Sequence, residues 1–249
     1  MMPKVIDMPE GPRTDVPALV TLHVWGVAPR HVPGALARMA TLRRALRRGG
    51  SRRPPGAPVF AKLLGTGSAR TFTVRDSDPL HWALLATWAS PADAAAFERG
   101  PVTRSWERIA TERLRVDLRP LASRGQWSRT RPFGDPTPVP HDGPVAAVTR
   151  ARLVPWRAKT FYRSVPPVAH DLAHVAGLRL SVGVGEAPVG LQGTFSLWES
   201  ATALTDFAHR RAPHVEVVRR TAEVGWYAEE LFARFAVVGI EGTYAGRQP

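Results

Sequence analysis

Apolar positions along this chain switch between a two-residue and a helical period, and the switches come in the same order twice. Val16 to Val27 is apolar and β-branched enough for a strand that starts after Pro17. Val32 to Leu46 sets Leu36, Met39 and Ala40 at helical spacing and stops at Gly49-Gly50. Val59 to Leu64 reads as a strand leaving through Gly65-Thr66-Gly67, and Trp82 to Trp88 as the next strand. Ser90, Pro91 and Asp93 form a helix start, because serine caps well and proline suits the first turn. After a break near Gly100-Pro101 a helix runs to about Ala110, and Leu114 to Leu121 is a fourth strand.

The second half repeats this order. Strands are expected at Val145 to Val154, Leu178 to Gly185, Gly193 to Trp198 and Leu231 to Val238. Helices are expected from Lys159 to about His174, from Ser200 through Phe207, and from Pro213 onward. Each half is therefore β-α-β-β-α-β, the ferredoxin-like order, and the fold class is α+β. Two such halves predict two antiparallel sheets packed face to face as an α+β barrel of the dimeric type within one chain. The expected divisions are an N-terminal arm at 1–17, a first half at 18–123, a linker at 124–143 and a second half at 144–249. The linker is rich in proline and turn residues, and Trp127 and Phe133 are its candidate anchors.

Aligning the halves sets Trp88 on Trp198, Phe97 on Phe207 and Val102 on His214. A duplicated scaffold supplies its packing twice, so a polar residue in one copy alone is a candidate for function. His214 sits with Val217 and Val218 at helical spacing and is expected to face inward. Two readings remain: a hydrogen-bonded core histidine, or a neutral imidazole suited to haem iron.

Composition narrows the chemistry. The 249 residues contain no cysteine, which excludes disulfides, thiolate metal sites and a cysteine nucleophile. No run of about 18 apolar residues offers a membrane span, and the start has no apolar signal core, so a cytoplasmic location is expected. The net charge is +13, but the densest basic run, Arg43 to Arg53, has no aromatic residue for base stacking. Nucleic acid is not an expected partner; peripheral contact with an anionic membrane and self-association are compatible with the charge. The glycine runs Gly65 to Gly67 and Gly183 to Gly190 lack the spacing and the lysine of phosphate loops and read as turns. His170 and His174 share a helix face without a completing ligand set, and no serine elbow or useful carboxylate pair supports hydrolysis.

The stretch from VGLQGTFSLW through AHRRAPHVEVV to GWYAEELFARF resembles the spheroidene monooxygenase family, the carotenoid 2-ketolases. The resemblance extends to KLLGTG, WALLATW, PLASRGQWSRTRPFG and GPVAAVTRARLVPWRAKTFYRSVPP, nearly everything from Thr21 to Val238. It implies a haem b monooxygenase that uses O2 and an electron donor to convert a carotenoid methylene to a ketone, with His214 as iron ligand. Trp198 and Trp226 are then expected beside the cofactor. Gln192 is expected as a distal donor, with Arg150 or Arg152 as its oxygen or propionate partner. A small polar substrate undergoing dehydration or nitrogen oxidation, or a non-enzymatic haem carrier, are the alternatives. A barrel and a haem define chemistry and not substrate.

Overall fold

The computed structural model describes residues 14–48, 56–68, 70, 74–172, 175–187, 191–210 and 212–249. The first half comprises β1 (Leu19–Val27), α1 (Val32–Arg48), β2 (Phe60–Gly67), β3 (Ser77–Trp88), α2 (Pro91–Glu98), α3 (Pro101–Glu107) and β4 (Ala110–Gly125). The second comprises β5 (Val145–Leu153), α4 (Ala158–Leu172), β6 (Leu178–Gly185), β7 (Leu191–Trp198), α5 (Ala201–Arg210), α6 (Ala212–Val224) and β8 (Tyr227–Gly242). Both expected caps form: the Ser90 and Ser200 hydroxyls accept the backbone N–H of Asp93 and Ala203, at 3.1 and 3.2 Å.

The strands form one closed barrel in the order β1-β3-β2-β6-β7-β5-β8-β4. Each half contributes a ferredoxin-like run, β4-β1-β3-β2 or β6-β7-β5-β8. The expectation of two sheets packed face to face is corrected in one respect. The halves hydrogen-bond edge to edge, β2 with β6 and β4 with β8, so no free edge remains. β4 and β8 also run longer than the sequence pattern suggests, to 16 residues each. Their outer positions carry Arg113, Arg115, Glu230 and Arg234, whose charge hides the strand period from a hydrophobicity reading.

Alternation sends one set of side chains inward and one outward. The barrel interior is filled from both halves by residues such as Leu22, Leu85, Val116, Val148, Phe195 and Phe235. The anchors expected of the linker lie in that same cluster, Trp127 1% and Phe133 0% exposed. The outer face packs under the helices. Trp88 meets Phe97 with ring centroids 5.1 Å apart, and Trp198 meets Phe207 at 5.4 Å, so the aligned pairs do the same work in each half.

The barrel ends are closed by exchange. β4 and β8 end at Gly125 and Gly242, with φ of +87° and +88°, a region glycine enters without a Cβ penalty. Each glycine leads into a bridged turn, Trp127 to Thr130 and Tyr244 to Arg247. Glu229 on β8 accepts the N–H groups of Ser128 and Arg129 at 3.2 and 2.7 Å. Glu112 on β4 accepts those of Ala245 and Gly246 at 2.9 and 2.6 Å. The turn that ends one half is thus gripped by the other half.

Candidate functional site

The two outer faces have superposable registers. Leu19 pairs with Trp88 on β1 and β3, and Val145 pairs with Trp198 on β5 and β7. Stepping along these ladders matches Trp25 with Ala151, His23 with Thr149, Trp82 with Gln192 and Leu84 with Thr194. On the next strands Leu63 matches Gly183. At every one of these positions the second half carries the smaller side chain.

In the first half the space under α2 and α3 is filled by rings. His23 stacks on Trp25 at 5.5 Å, and Trp25 on Trp106 at 4.9 Å, both pairs within 9° of parallel. Trp25, His23 and Leu84 are all fully buried. In the second half Ala151, Thr149 and Thr194 are only half-buried, although they occupy the same rows. Extending the helix alignment from Val102 and His214 matches Trp106 with Val218, again smaller. A buried tryptophan covers about 150–250 Å². The second half therefore lacks the equivalent of a ring stack, and what it lacks is flat.

The polar groups on this hollow face are neutral on β5 and β7, and β8 adds Glu230, paired with Ala151, and Arg234, paired with Ala147. Gln192 Nε2 donates to the Tyr162 hydroxyl of α4 at 3.2 Å, and Trp198 Nε1 donates to Ser196 Oγ at 2.9 Å. Thr149 and Thr194 stand in the same rows. Amides and aliphatic hydroxyls hydrogen-bond but do not exchange protons near pH 7, and none carries electrons. Such a face can orient a bound group; redox chemistry has to come from a cofactor. A face of small side chains with a few hydrogen-bond donors is the kind of surface that a flat cofactor would need.

The remaining site residues distribute as follows. Arg150 is corrected as a partner of Gln192, because alternation sends it to the inner face, on the other side of the sheet. It is buried at a barrel mouth, ion-paired to Glu229 and, at 2.9 Å, to Glu186, with its guanidinium 5.6 Å from the Trp127 ring. Burial alone would raise the carboxyl of Glu186, but hydrogen bonds from Lys62 and Trp127 and the charges of Lys62 and Arg150 hold it below the usual range. Arg152 follows Arg150's parity, is exposed at the rim and shares no face with Gln192. Trp198 is a packing residue on the evidence of its twin Trp88, which has the same phenylalanine partner. Trp226 is fully buried beneath α4, donates to Thr160 Oγ1 at 2.8 Å and has the Arg220 guanidinium over its ring at 5.6 Å. Residue 214 belongs to α6, and the His214 side chain lies outside the described residues, as do those of His170 and His174.

Ala151, Gly183 and Tyr162 were missed by the sequence reading. Subtracting one repeat from the other along whole strands finds the first two, since Trp-to-Ala and Leu-to-Gly are volume differences and not polarity differences. His23 was passed over as a ligand, and it is a buried neutral imidazole. Burial foremost, then the charges of Arg113 and Arg115, lower its pKa to about 3.

Fold and face together define a class: a two-repeat α+β barrel in which the first repeat stacks rings where the second carries small side chains. No family model matches the chain. It is 36% identical to the spheroidene monooxygenase of Rhodobacter capsulatus over 196 residues, covering 76% of this chain and 80% of that one. It is 39% identical to the spheroidene monooxygenase of Rubrivivax gelatinosus over 196 residues, covering 78% and 74%. The chain belongs to the spheroidene monooxygenase family, and so to the oxidoreductases of monooxygenase type. An aldoxime dehydratase crystal structure has the same fold, with a TM-score of 0.57 at 11% identity over 88% of this chain and 80% of that one. Among the described residues no helix is long and apolar enough to cross a membrane.

Proposed function

We propose that this protein is a haem-dependent monooxygenase that holds haem b against the outer face of its second half and oxidises a methylene of an acyclic carotenoid to a ketone. The observation that supports this most is the volume asymmetry: Trp25, His23 and Leu63 in one half against Ala151, Thr149 and Gly183 in the other. His214, on the helix over that face, is the nitrogen ligand in this reading. When bound, haem supplies the oxygen activation and electron transfer that these side chains lack.

The chain's own residues bind and orient. The Gln192 carboxamide and the Thr149, Thr194 and Ser196 hydroxyls offer the polar contacts on the open side, and the sheet excludes bulk water from behind. In the overall reaction one oxygen atom of O2 enters a C–H bond and the other leaves as water, taking two electrons and two protons from an external donor. A second round on the same carbon gives a geminal diol, which loses water to form the ketone.

The test is the absorption spectrum of protein purified from haem-replete cells, followed by turnover of an acyclic carotenoid with O2 and a reductant. A Soret band with ketone formation supports the proposal, and protein from haem-replete cells without a Soret band overturns it. Gln192→Ala is expected to keep the Soret band and to lower turnover by about 10²-fold, the scale seen when one donor to developing charge is removed. Unchanged turnover would remove Gln192 from the site.

A further inference from the structure

Beside the hollow face, at the seam between β2 and β6, the floor of the outer surface is almost free of side chains. Gly65 pairs with Gly185 and Gly67 with Gly183, and all four face outward. Gly65 also pairs with Trp82 on β3, and Gly185 with Gln192 on β7. One row across the sheet therefore reads Trp82, Gly65, Gly185, Gln192. With strands about 4.8 Å apart, Trp82 and Gln192 stand roughly 14 Å from each other across bare backbone.

Glycine has a local reason at some of these positions and none at another. A Cβ at Gly67 would press on the Asp76 carbonyl, and one at Gly185 would lie 3.1 Å from the carbonyls of Ala187 and Leu191. A Cβ at Gly65 would meet nothing closer than 3.9 Å, and its φ is not in the left-handed region. Neither backbone geometry nor close packing asks for glycine there. A side chain at Gly65 would stand in open space above the sheet.

That space is part of a cavity of about 1210 Å³, larger than the usual pocket for a small ligand. Leu36, Met39 and Leu46 of α1 wall one side, Leu63 and Trp82 lie in its floor, and Gln192 belongs to its lining at the far end. Leu36 is 52% exposed, although its repeat counterpart is Tyr162, the hydrogen-bond partner of Gln192. The cavity is thus mixed along α1, where Leu36, Met39 and Leu46 alternate with Arg43 and Arg44, aromatic at Trp82 and continuous with the hollow face.

We infer that this glycine-floored groove seats the extended apolar chain of a polyene substrate, with Trp82 against the conjugated chain and Gln192 where the chain enters the reactive face. The inference rests on the carotenoid reading of the site. It adds that residues of the first half, which hold no cofactor, determine which substrates fit. A stiff conjugated chain needs a straight path without projecting side chains, and the Gly65–Gly185 row provides one.

The experiment titrates the full-length protein with an acyclic carotenoid hydrocarbon in detergent micelles and follows the quenching of tryptophan emission. Haem-free and haem-loaded protein are both used. Gly65→Leu is expected to weaken polyene affinity about ten- to a hundred-fold while leaving the Soret band of loaded protein unchanged. Leu36→Asp, at an exposed position that does not endanger folding, is expected to weaken it about tenfold. Wild-type affinity in Leu36→Asp and in folded Gly65→Leu would overturn the groove assignment. Should Gly65→Leu not fold, Leu36→Asp decides alone. Because binding is read without haem, absence of a Soret band would defeat the cofactor proposal and leave this result standing.

Discussion

The two outer faces stand on one backbone plan and differ in what fills them. The first presents His23, Trp25 and Trp106 as a continuous stack under α2 and α3. The second presents Ala151, Thr149 and Gly183 in the corresponding rows. Twin anchors at Trp88 and Trp198 hold both faces to their helices, so the difference is confined to the middle of the face. A duplicated fold can separate its tasks in this way: one copy keeps stability and the other gives up packing to hold a ligand.

That contrast can be broken by experiment, most severely at the proposed ligand. His214→Ala is expected to abolish the Soret band while circular dichroism stays native, because Val102 occupies the matching position in the first half without harm. Retention of the full band would free the helix of α6 from that role.

Filling the slot should act almost as strongly. Ala151→Trp combined with Gly183→Leu copies the first half into the second and is expected to cut haem content about tenfold or more, read as Soret absorbance per protein. A normal haem content in this double variant would show that the slot is elsewhere.

Emptying the solid side tests the opposite corner. Trp25→Ala removes the middle ring of the stack and should cost about 3–5 kcal/mol in urea unfolding. Thr149→Ala, one row away from the matching position, should stay within about 0.5 kcal/mol. Equal costs would mean that the second face is packed as tightly as the first.

The smallest effect is a pH dependence confined to the first half. His23 is neutral when folded, its pKa lowered to about 3, and Glu98, 3.7 Å from Nδ1, is already shared with Arg113 and Arg115. The unfolded chain binds that proton near pH 6.5 and the folded chain does not, so stability from His23 is complete above that pH and falls as acid is added. The slope contributed is at most about 1.4 kcal/mol per pH unit. His23→Thr, which installs the second half's residue, should flatten the acid limb of urea midpoints measured between pH 4.5 and 7. An unaltered limb would assign the acid sensitivity to other groups.

Much of this fold is legible in the sequence, because each repeat writes its strand and helix periods plainly and its caps at Ser90 and Ser200 are local. Trp127 and Phe133 are legible as anchors because large apolar rings in a proline-rich linker have nowhere else to go. The barrel is legible from the repeated order, but its seams are not, since the pairing of Gly65 with Gly185 joins residues far apart with no shared pattern. The face of Arg150 was readable from alternation, but not which face the cofactor would use. The size difference between the faces was missed because volume, unlike charge, leaves no mark on a hydrophobicity profile.

The exchanged end turns have a consequence for the order of synthesis. Glu112 grips a turn made of residues 244–247, more than a hundred positions later in the chain. A ribosome delivers the first half whole, at about 5–20 residues per second, but not the turn that stoppers its mouth. Until that turn emerges, Glu112 has no backbone N–H groups to hold, and until β6 and β8 emerge the β2 and β4 edges wait unpaired. Closure of the barrel is therefore a late event, and a nascent chain stalled before residue 178 presents two open edges to any chaperone that reads them.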